Sequence, residues 1–292
     1  MKHLFIINPK AGKGKASEII PEIKNIFKEI DEEFIIEITE RQGHATELVR
    51  NYVNKEDYRV YSVGGDGTLN EVLNGMVNSN SCLAVIPSGS GNDFVRSINK
   101  GTSVKEILKS TIFGKTEMLD LAKINDRYFI NISSVGIDAE VTNNARKLKT
   151  FPFISGGVAY ILSIFMTIFT YKYKHIKLKI DDKEIKSQIT LLAIANGKYY
   201  GGGMKVSPYA DLQDGILDIC VIDKLSKMKI LVLFPKLMKG KHSDIKEVSF
   251  YKGKKITLIS EKGILVNIDG ELIKVQQIDL QIIPKSIKVI IP

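Results

Sequence analysis

The chain is poor in the residues that build disulfide frameworks and metal knuckles. It has two cysteines, Cys82 and Cys220, far apart and in no CxxC pairing. That excludes a disulfide scaffold and a cysteine zinc site, and it fits a reducing compartment. The four histidines (His3, His44, His175, His242) fall at no metal-ligand spacing, and there is no tryptophan. No apolar run reaches the ~18–20 residues needed to cross a bilayer. The longest, 157–171, reads as a buried helix. Because Lys147, Lys149, Lys172 and Lys174 flank it, a helix lining a lipid cleft or resting on a membrane surface is the second reading. The N-terminus turns polar at Asn8, too early for the apolar region of a signal peptide. There is no internal repeat and no low-complexity linker.

What is present is an ordinary globular composition, 44% hydrophobic and 26% charged, in a length of 292 residues that accommodates two domains. The net charge is +9, unevenly spread. Residues 1–140 sum to −3, whereas 141–186 carry +6 and 224–255 carry +8. A lysine-rich solvated surface explains this, and so does a face that meets anions, either headgroups or nucleic acid.

The first 120 residues alternate strand and helix. Apolar runs at 3–8, 34–39, 60–63 and 83–87 read as strands, and the patterns 19–30, 45–53 and 68–77 as helices. Such alternation implies parallel pairing in an open α/β sheet, with ligands beyond the carboxyl ends of the strands. After Asp120 the pattern is β-rich. Strands are expected at 128–133, 176–180, 189–195, 217–222, 248–251, 256–259, 265–268, 278–283 and 287–291, in an antiparallel sheet or sandwich. Helices are expected at 139–148, 157–171 and 227–238. The change of pattern divides the chain into domains of 1–120 and 121–284.

Three strand ends carry glycine-rich turns. Asn8-Pro9-Lys10-Ala11-Gly12-Lys13-Gly14 precedes a helix, where amides and a helix N-terminus could hold an anion. It is neither a P-loop nor a dinucleotide fingerprint, since Ser17 stands where a third glycine would be; alone it is a turn. Gly64-Gly65-Asp66-Gly67-Thr68-Leu69-Asn70-Glu71 places dense glycine between a buried strand and a helix. That costs stability unless backbone must approach something closely. Ser88-Gly89-Ser90-Gly91-Asn92-Asp93 repeats the design one strand over. Two such loops on adjacent strands say far more than either alone.

The segments NPKAGKG, GGDGTLNEV and PSGSGNDF, in this order, resemble the diacylglycerol kinase catalytic domain family, which includes sphingosine and ceramide kinases and soluble bacterial lipid kinases. The resemblance covers essentially the whole chain. It implies a nucleotide-binding first domain, a β-rich second domain, an active cleft between them, and a last strand, about 285–292, that returns to the first domain. Its motifs continue through Gly201-Gly202-Gly203-Met204-Lys205-Val206-Ser207-Pro208, Asp211-Leu212-Gln213-Asp214-Gly215 and Asn267-Ile268-Asp269-Gly270-Glu271. NAD kinases share GGDGT but lack the other two segments. Many relatives carry Thr where this chain has Ser90, which keeps the hydroxyl.

The resemblance implies ATP bound by Asn8, Pro9, Lys10, Ala11, Gly12, Thr39, Gly64, Gly65, Asp66, Gly67, Thr68, Leu69, Asn70 and Ser90. Phosphoryl transfer from ATP needs Mg²⁺. Asp66, Asp93 and Asp120, each read as ending a strand of the first domain, form the expected carboxylate cluster that positions it, largely through water. The reading against this is a capping or turn aspartate at Asp120. Glu271 would be the general base for a lipid hydroxyl, supported by Asp269, since strand alternation puts i and i+2 on one face and so turns both to one cleft. Without the resemblance Asp269-Gly270 is a common hairpin turn. A structural Mg²⁺ would sit on Asp214 with carbonyls of Asp211 and Ile216. The expected activity is phosphoryl transfer from ATP to a membrane lipid, first diacylglycerol, by a cytoplasmic protein peripheral to the inner membrane face and compatible with a homodimer. The alternatives are another acceptor (a sphingoid base, another lipid alcohol, NAD) or a non-catalytic nucleotide or lipid sensor. No nucleic-acid recognition motif is present, so nucleic acid is not an expected partner.

Overall fold

The computed structural model describes residues 1–98, 103–148, 150 and 156–292; Lys149, one of the flanking lysines, lies outside them. In the first half, β1 (Lys2–Ile7), α1 (Ile20–Glu29), β2 (Phe34–Ile38), α2 (His44–Val53), β3 (Tyr58–Gly64), α3 (Asp66–Met76) and β4 (Cys82–Pro87) alternate in sequence order. The strands pair in parallel in the order β2-β1-β3-β4. These strands are apolar on both faces because helices cover both. Leu4 and Ile6 pack with Ala45, Val49 and Leu73 of α2 and α3, whereas Phe5 and Ile7 pack with Ile23 and Phe27 of α1. A short α4 (Val95–Ile98) and α5 (Val104–Phe113) follow. Helix α5 has no counterpart among the elements expected from the sequence, although Ser103 and Glu106 form a capping box at its start.

The second half contains β5 (Lys115–Ile124), β6 (Arg127–Phe129), β7 (Ile132–Gly136), α6 (Ile137–Leu148), α7 (Gly156–Thr170), β8 (Lys174–Ile180), β9 (Lys183–Ala195), β10 (Leu217–Asp223), α8 (Lys227–Met238), β11 (Val248–Gly253), β12 (Lys255–Ile268) and β13 (Glu271–Ile291). Pairing among them is antiparallel. In β8, buried Ile176, Leu178 and Ile180 alternate with exposed residues, the pattern of a strand with one wet face. These residues join Ile219, Leu258 and Val266 in an interior between strands, while the opposite face of β9 and β10 lies under α7 and α8.

Strand β5 has no counterpart among the strand ranges expected from the sequence, and three other stretches are divided differently. The run 128–133 is two strands, parted at Ile130–Asn131. Conversely, 256–259 and 265–268 are one strand, β12, and 278–283 and 287–291 are one strand, β13. Gly263 (φ 73) and Lys285 (φ 48) mark register shifts within these strands; they are bulges, not turns. Beyond its bulge, β13 pairs in parallel with β4, so one 13-stranded sheet spans the molecule.

Candidate active site

The β3–α3 turn and the loop after β4 are packed against each other, and this explains most of their glycines. A Cβ on Gly89 would stand 2.4 Å from Gly65 Cα, and one on Gly91 would stand 2.4 Å from Asp66 Oδ2. Asp66 accepts hydrogen bonds from the amides of Asn92 (3.0 Å) and Asp93 (2.9 Å), which ties the two loops together. A Cβ on Gly12 would meet Ser88 O at 2.3 Å. The close approach at these glycines is therefore to other parts of the protein, backbone at Gly12 and Gly89 and the Asp66 carboxylate at Gly91. Gly67 differs, with nothing within 4 Å of its Cβ position. The 11–19 segment is a 3-10 stretch broken by left-handed Gly12, Lys13 and Gly14. It separates the first turn from α1, so no α-helix N-terminus follows that turn directly.

Burial pushes the Asp66 and Asp93 carboxyls up, and for Asp93 the nearby Asp66 charge adds to the effect. Asp93 Oδ2 accepts from Gly202 N at 2.9 Å. Its Oδ1 is buried with no hydrogen-bond partner, and Arg96 Nε is 3.8 Å away. An orphaned carboxylate oxygen beside a second carboxylate is a hard-oxygen set that fits Mg²⁺.

The opposite wall comes from the β12–β13 hairpin. Ile268 pairs with Glu271, leaving Asp269 (φ 44) and Gly270 (φ 92) as a two-residue turn with both residues left-handed. Asp269 and Glu271 thus share the cleft through a turn, not through strand alternation. The Asp269 carboxylate accepts from the amides of Ile130 (3.1 Å), Asn131 (3.4 Å) and Ile132 (2.9 Å). Burial raises its pKa to about 6 against the pull of those amides. Glu271 Oε2 pairs with Arg127 Nη1 at 2.6 Å, and Arg127 Nη2 donates to Asn70 Oδ1 at 2.7 Å. Arg127 carries no motif signal; only the folded hairpin shows its place.

Between these walls is a cleft of about 510 Å³. Of the expected residues it is lined by Asn8, Lys10, Thr39, Asp66, Gly67, Thr68, Asp269 and Glu271. Asn8 Nδ2 donates to Thr68 Oγ1 at 3.0 Å, and Asn8 Oδ1 accepts from Lys10 N at 3.0 Å, which fixes both. Pro9, Ala11, Gly12, Gly64, Gly65, Leu69, Asn70, Asp93 and Ser90 are not in the lining. Leu69 is a core side chain packed with Val72 and Leu83, and Ser90 is exposed. The lining also holds Arg41, Glu71 and Arg146, none of them singled out from the sequence. Glu71 accepts from the amides of Gly43 (2.9 Å) and Ala45 (3.2 Å) and so caps α2, a role available in the GGDGTLNE segment only once α2 packs beside α3.

Asp120 does not join Asp66 and Asp93. It lies in the middle of β5, not at a strand end, fully buried; its oxygens accept from Lys285 N and Gly215 N, both at 2.7 Å. A clamp on the β13 bulge and the 211–216 loop replaces the expected metal role. In that loop Asp214 Oδ1 accepts from Ile216 N (3.1 Å), and Oδ2 is 3.2 Å from Lys252 Nζ, which also reaches Asp218 at 3.4 Å. The oxygens of Asp211, Asp214 and Ile216 are chemically suited to a hard cation, with Lys252 as a competitor for Asp214.

Comparison with known proteins identifies the family. The family model described as the diacylglycerol kinase catalytic domain matches residues 2–124, and that described as the YegS C-terminal NAD kinase beta sandwich-like domain matches 131–291. The diacylglycerol kinase of Staphylococcus saprophyticus is 29% identical, over 91% of this chain and 88% of its own. That of Mycobacterium tuberculosis is 29% identical, over 98% and 94%. A solved Bacillus anthracis structure, provisionally named a diacylglycerol kinase, is 28% identical with a TM-score of 0.80, covering 100% of this chain and 95% of the other. With matched models over both halves, the chain belongs to the diacylglycerol kinase catalytic domain family, in the form that carries a YegS-type β-sandwich.

Proposed function

We propose that this protein transfers the γ-phosphoryl group of ATP to the hydroxyl of a membrane lipid, diacylglycerol being the first candidate, with Mg²⁺ as the metal. The observation that carries the reading is the meeting of Glu271 with Asp66, Gly67 and Lys10 around one cleft. The bond that forms is lipid O–P; the bond that breaks joins the γ-phosphorus to the bridging oxygen, which leaves on ADP with the electron pair. Glu271 receives the hydroxyl proton on the oxygen not held by Arg127, while Arg127 fixes its direction from Asn70. Lys10, Arg41 and Arg146 supply positive charge toward the polyphosphate, and the open face at Gly67 admits it. The contribution of magnesium, when bound, is charge neutralisation on the phosphates. Asp93 Oδ1 is its proposed anchor, with Asp66 beside it. A second, structural cation on Asp214 with the carbonyls of Asp211 and Ile216 is proposed separately.

An apolar acceptor is favoured over NAD by a slot beneath α7 and α8, lined by Tyr160, Ile164, Ile168, Leu233 and Leu237. Tyr160 donates to Gly201 O at 3.3 Å, next to the Gly202 amide that holds Asp93. The deciding experiment offers ATP with diacylglycerol, sphingoid bases and other lipid alcohols in mixed micelles, and NAD in solution, with products read by mass spectrometry. Phosphorylated NAD with untouched lipids would overturn the reading. The same site would then serve a soluble acceptor, and membrane association would lose its purpose.

A further inference from the structure

Helix α7 has more apolar surface than its core contact uses: Ala159 and Ile168 face the interior, yet large apolar side chains also face water. Its buried side includes Ser163 and Thr167, with 0% and 1% exposure. Their hydroxyls donate to Tyr160 O and Ser163 O, both at 2.6 Å, and Asn144 of α6 donates to Thr167 Oγ1 at 2.9 Å. Its outer side presents Ile161, Leu162, Phe165, Met166 and Phe169, each between 42% and 56% exposed. The spacing puts them in two adjacent rows along one face. Helix α8 continues the apolar surface with Met228 and Val232, at 70% and 65%. A contiguous exposed patch of this kind marks a contact with something other than water.

The charges around it say what that is. At the carboxyl end of α7 a groove of about 760 Å³ is lined by Lys172, Lys174, Lys177, Lys186 and Lys262, with Glu261 as its one acid. Lys224 and Lys227 stand over the rings of Tyr173 (5.3 Å) and Phe169 (5.9 Å). Lys174 and Lys177 are paired with Glu140 and Glu261. Among the described residues Lys172, Lys186, Lys224, Lys227 and Lys262 have no carboxylate within 4 Å. No helix of the described residues is long and apolar enough to cross a membrane. Apolar rows bordered by unneutralised lysines form the surface of a helix that lies in an interface, side chains among acyl chains and ammonium groups at the phosphates. We infer that the α7–α8 face seats this protein on an anionic bilayer. A second copy is a poorer occupant, since an isologous pair would bring the same lysine-rich patch to both sides and offer it no anion. The inference rests on the lipid-kinase reading for its purpose, though the contact itself needs no catalysis.

The test is sedimentation with vesicles of phosphatidylcholine alone or mixed equally with phosphatidylglycerol. The wild type should bind the mixed vesicles, lose them as salt rises, and bind neutral vesicles weakly. The double variant Phe165→Ser, Phe169→Ser should partition at least about tenfold less, given the apolar area withdrawn. Lys172→Glu with Lys186→Glu should lose on the order of tenfold or more on anionic vesicles only. Both pairs should keep the wild-type circular dichroism and the rate on a short-chain diacylglycerol dispersed as monomers. If both pairs sediment like the wild type, the surface is not the seat and the inference fails. It also fails if the wild type is a dimer that the Phe pair dissociates while vesicle binding stays unchanged. If vesicle binding behaves as stated but no lipid is phosphorylated, docking stands and the kinase reading falls alone.

Discussion

Gly65 and Gly89 touch backbone to backbone: a Cβ on Gly65 would lie 3.1 Å from Gly89 Cα, and one on Gly89 would lie 2.4 Å from Gly65 Cα. Glycine is required there for the loops to meet, so a substitution tests the fold before it tests the nucleotide.

Gly67 separates the two effects. Gly89→Ala should destabilise by about 1–3 kcal/mol through overpacking. Gly67→Val, in open space at the start of α3, should leave the thermal midpoint nearly unchanged and abolish ATP binding. Calorimetric titration with Mg·ATP beside thermal melts decides the matter; wild-type affinity in Gly67→Val would remove the polyphosphate from this wall.

Glu271→Gln should lower kcat by roughly 10²–10⁴ with ATP affinity retained, the usual cost of losing a positioned base. Arg127→Ala should also lower kcat, but should cost nothing further when added to Glu271→Gln, because it acts through that side chain. Additive losses in the cycle would show that Arg127 works elsewhere.

Much of this arrangement was readable in advance, and the exceptions share a cause. The unbroken apolar runs of β1 and β3 and the alternation in β8 are local patterns, so parallel and antiparallel halves could be told apart. The Asp66 loop and its partner after β4 announce themselves by composition. Arg127 does not, because its value depends on Asn70 and Glu271 arriving from α3 and a distant hairpin. Asp120 resembles a strand-end aspartate until β13 passes beside β5 and presents Lys285 N to it.

Asp138, buried at the start of α6, supplies a pH test. Burial raises its pKa from 3.8 to about 6 while Ser134 donates to one oxygen, and the other has no partner. A raised folded pKa means the folded state holds the proton more tightly. The favourable contribution is complete below pH about 4 and is lost as pH rises through about 6. Asp138→Asn, which cannot ionise, should therefore gain about 2 kcal/mol relative to the wild type at pH 7 and little at pH 4. Urea unfolding at both pH values checks this; an equal difference at the two would refute it.

Lys252 lies between Asp214 and the buried Asp218, whose carboxyl is pushed up by burial. Lys252→Met should lower stability by about 1–3 kcal/mol in EDTA, since a buried acceptor loses its partner. It should also make the thermal midpoint more responsive to added Mg²⁺ than that of the wild type. A variant no more responsive than the wild type would argue against any cation seat on Asp214.

The 21 residues of β13 begin at Glu271, on one wall of the cleft, and end beside β4, on the other side of the molecule. The Glu271 wall is consequently continuous, through one strand, with the sheet whose β3 and β4 carry the facing loops. A change in the spacing of the walls would be transmitted along β13, whose pairing with β5 shifts register at the bulge around Lys285. Asp120 holds that bulge by the Lys285 amide and holds Gly215 with its other oxygen. One buried carboxylate therefore braces the stretch of β13 where the antiparallel half passes into the parallel one.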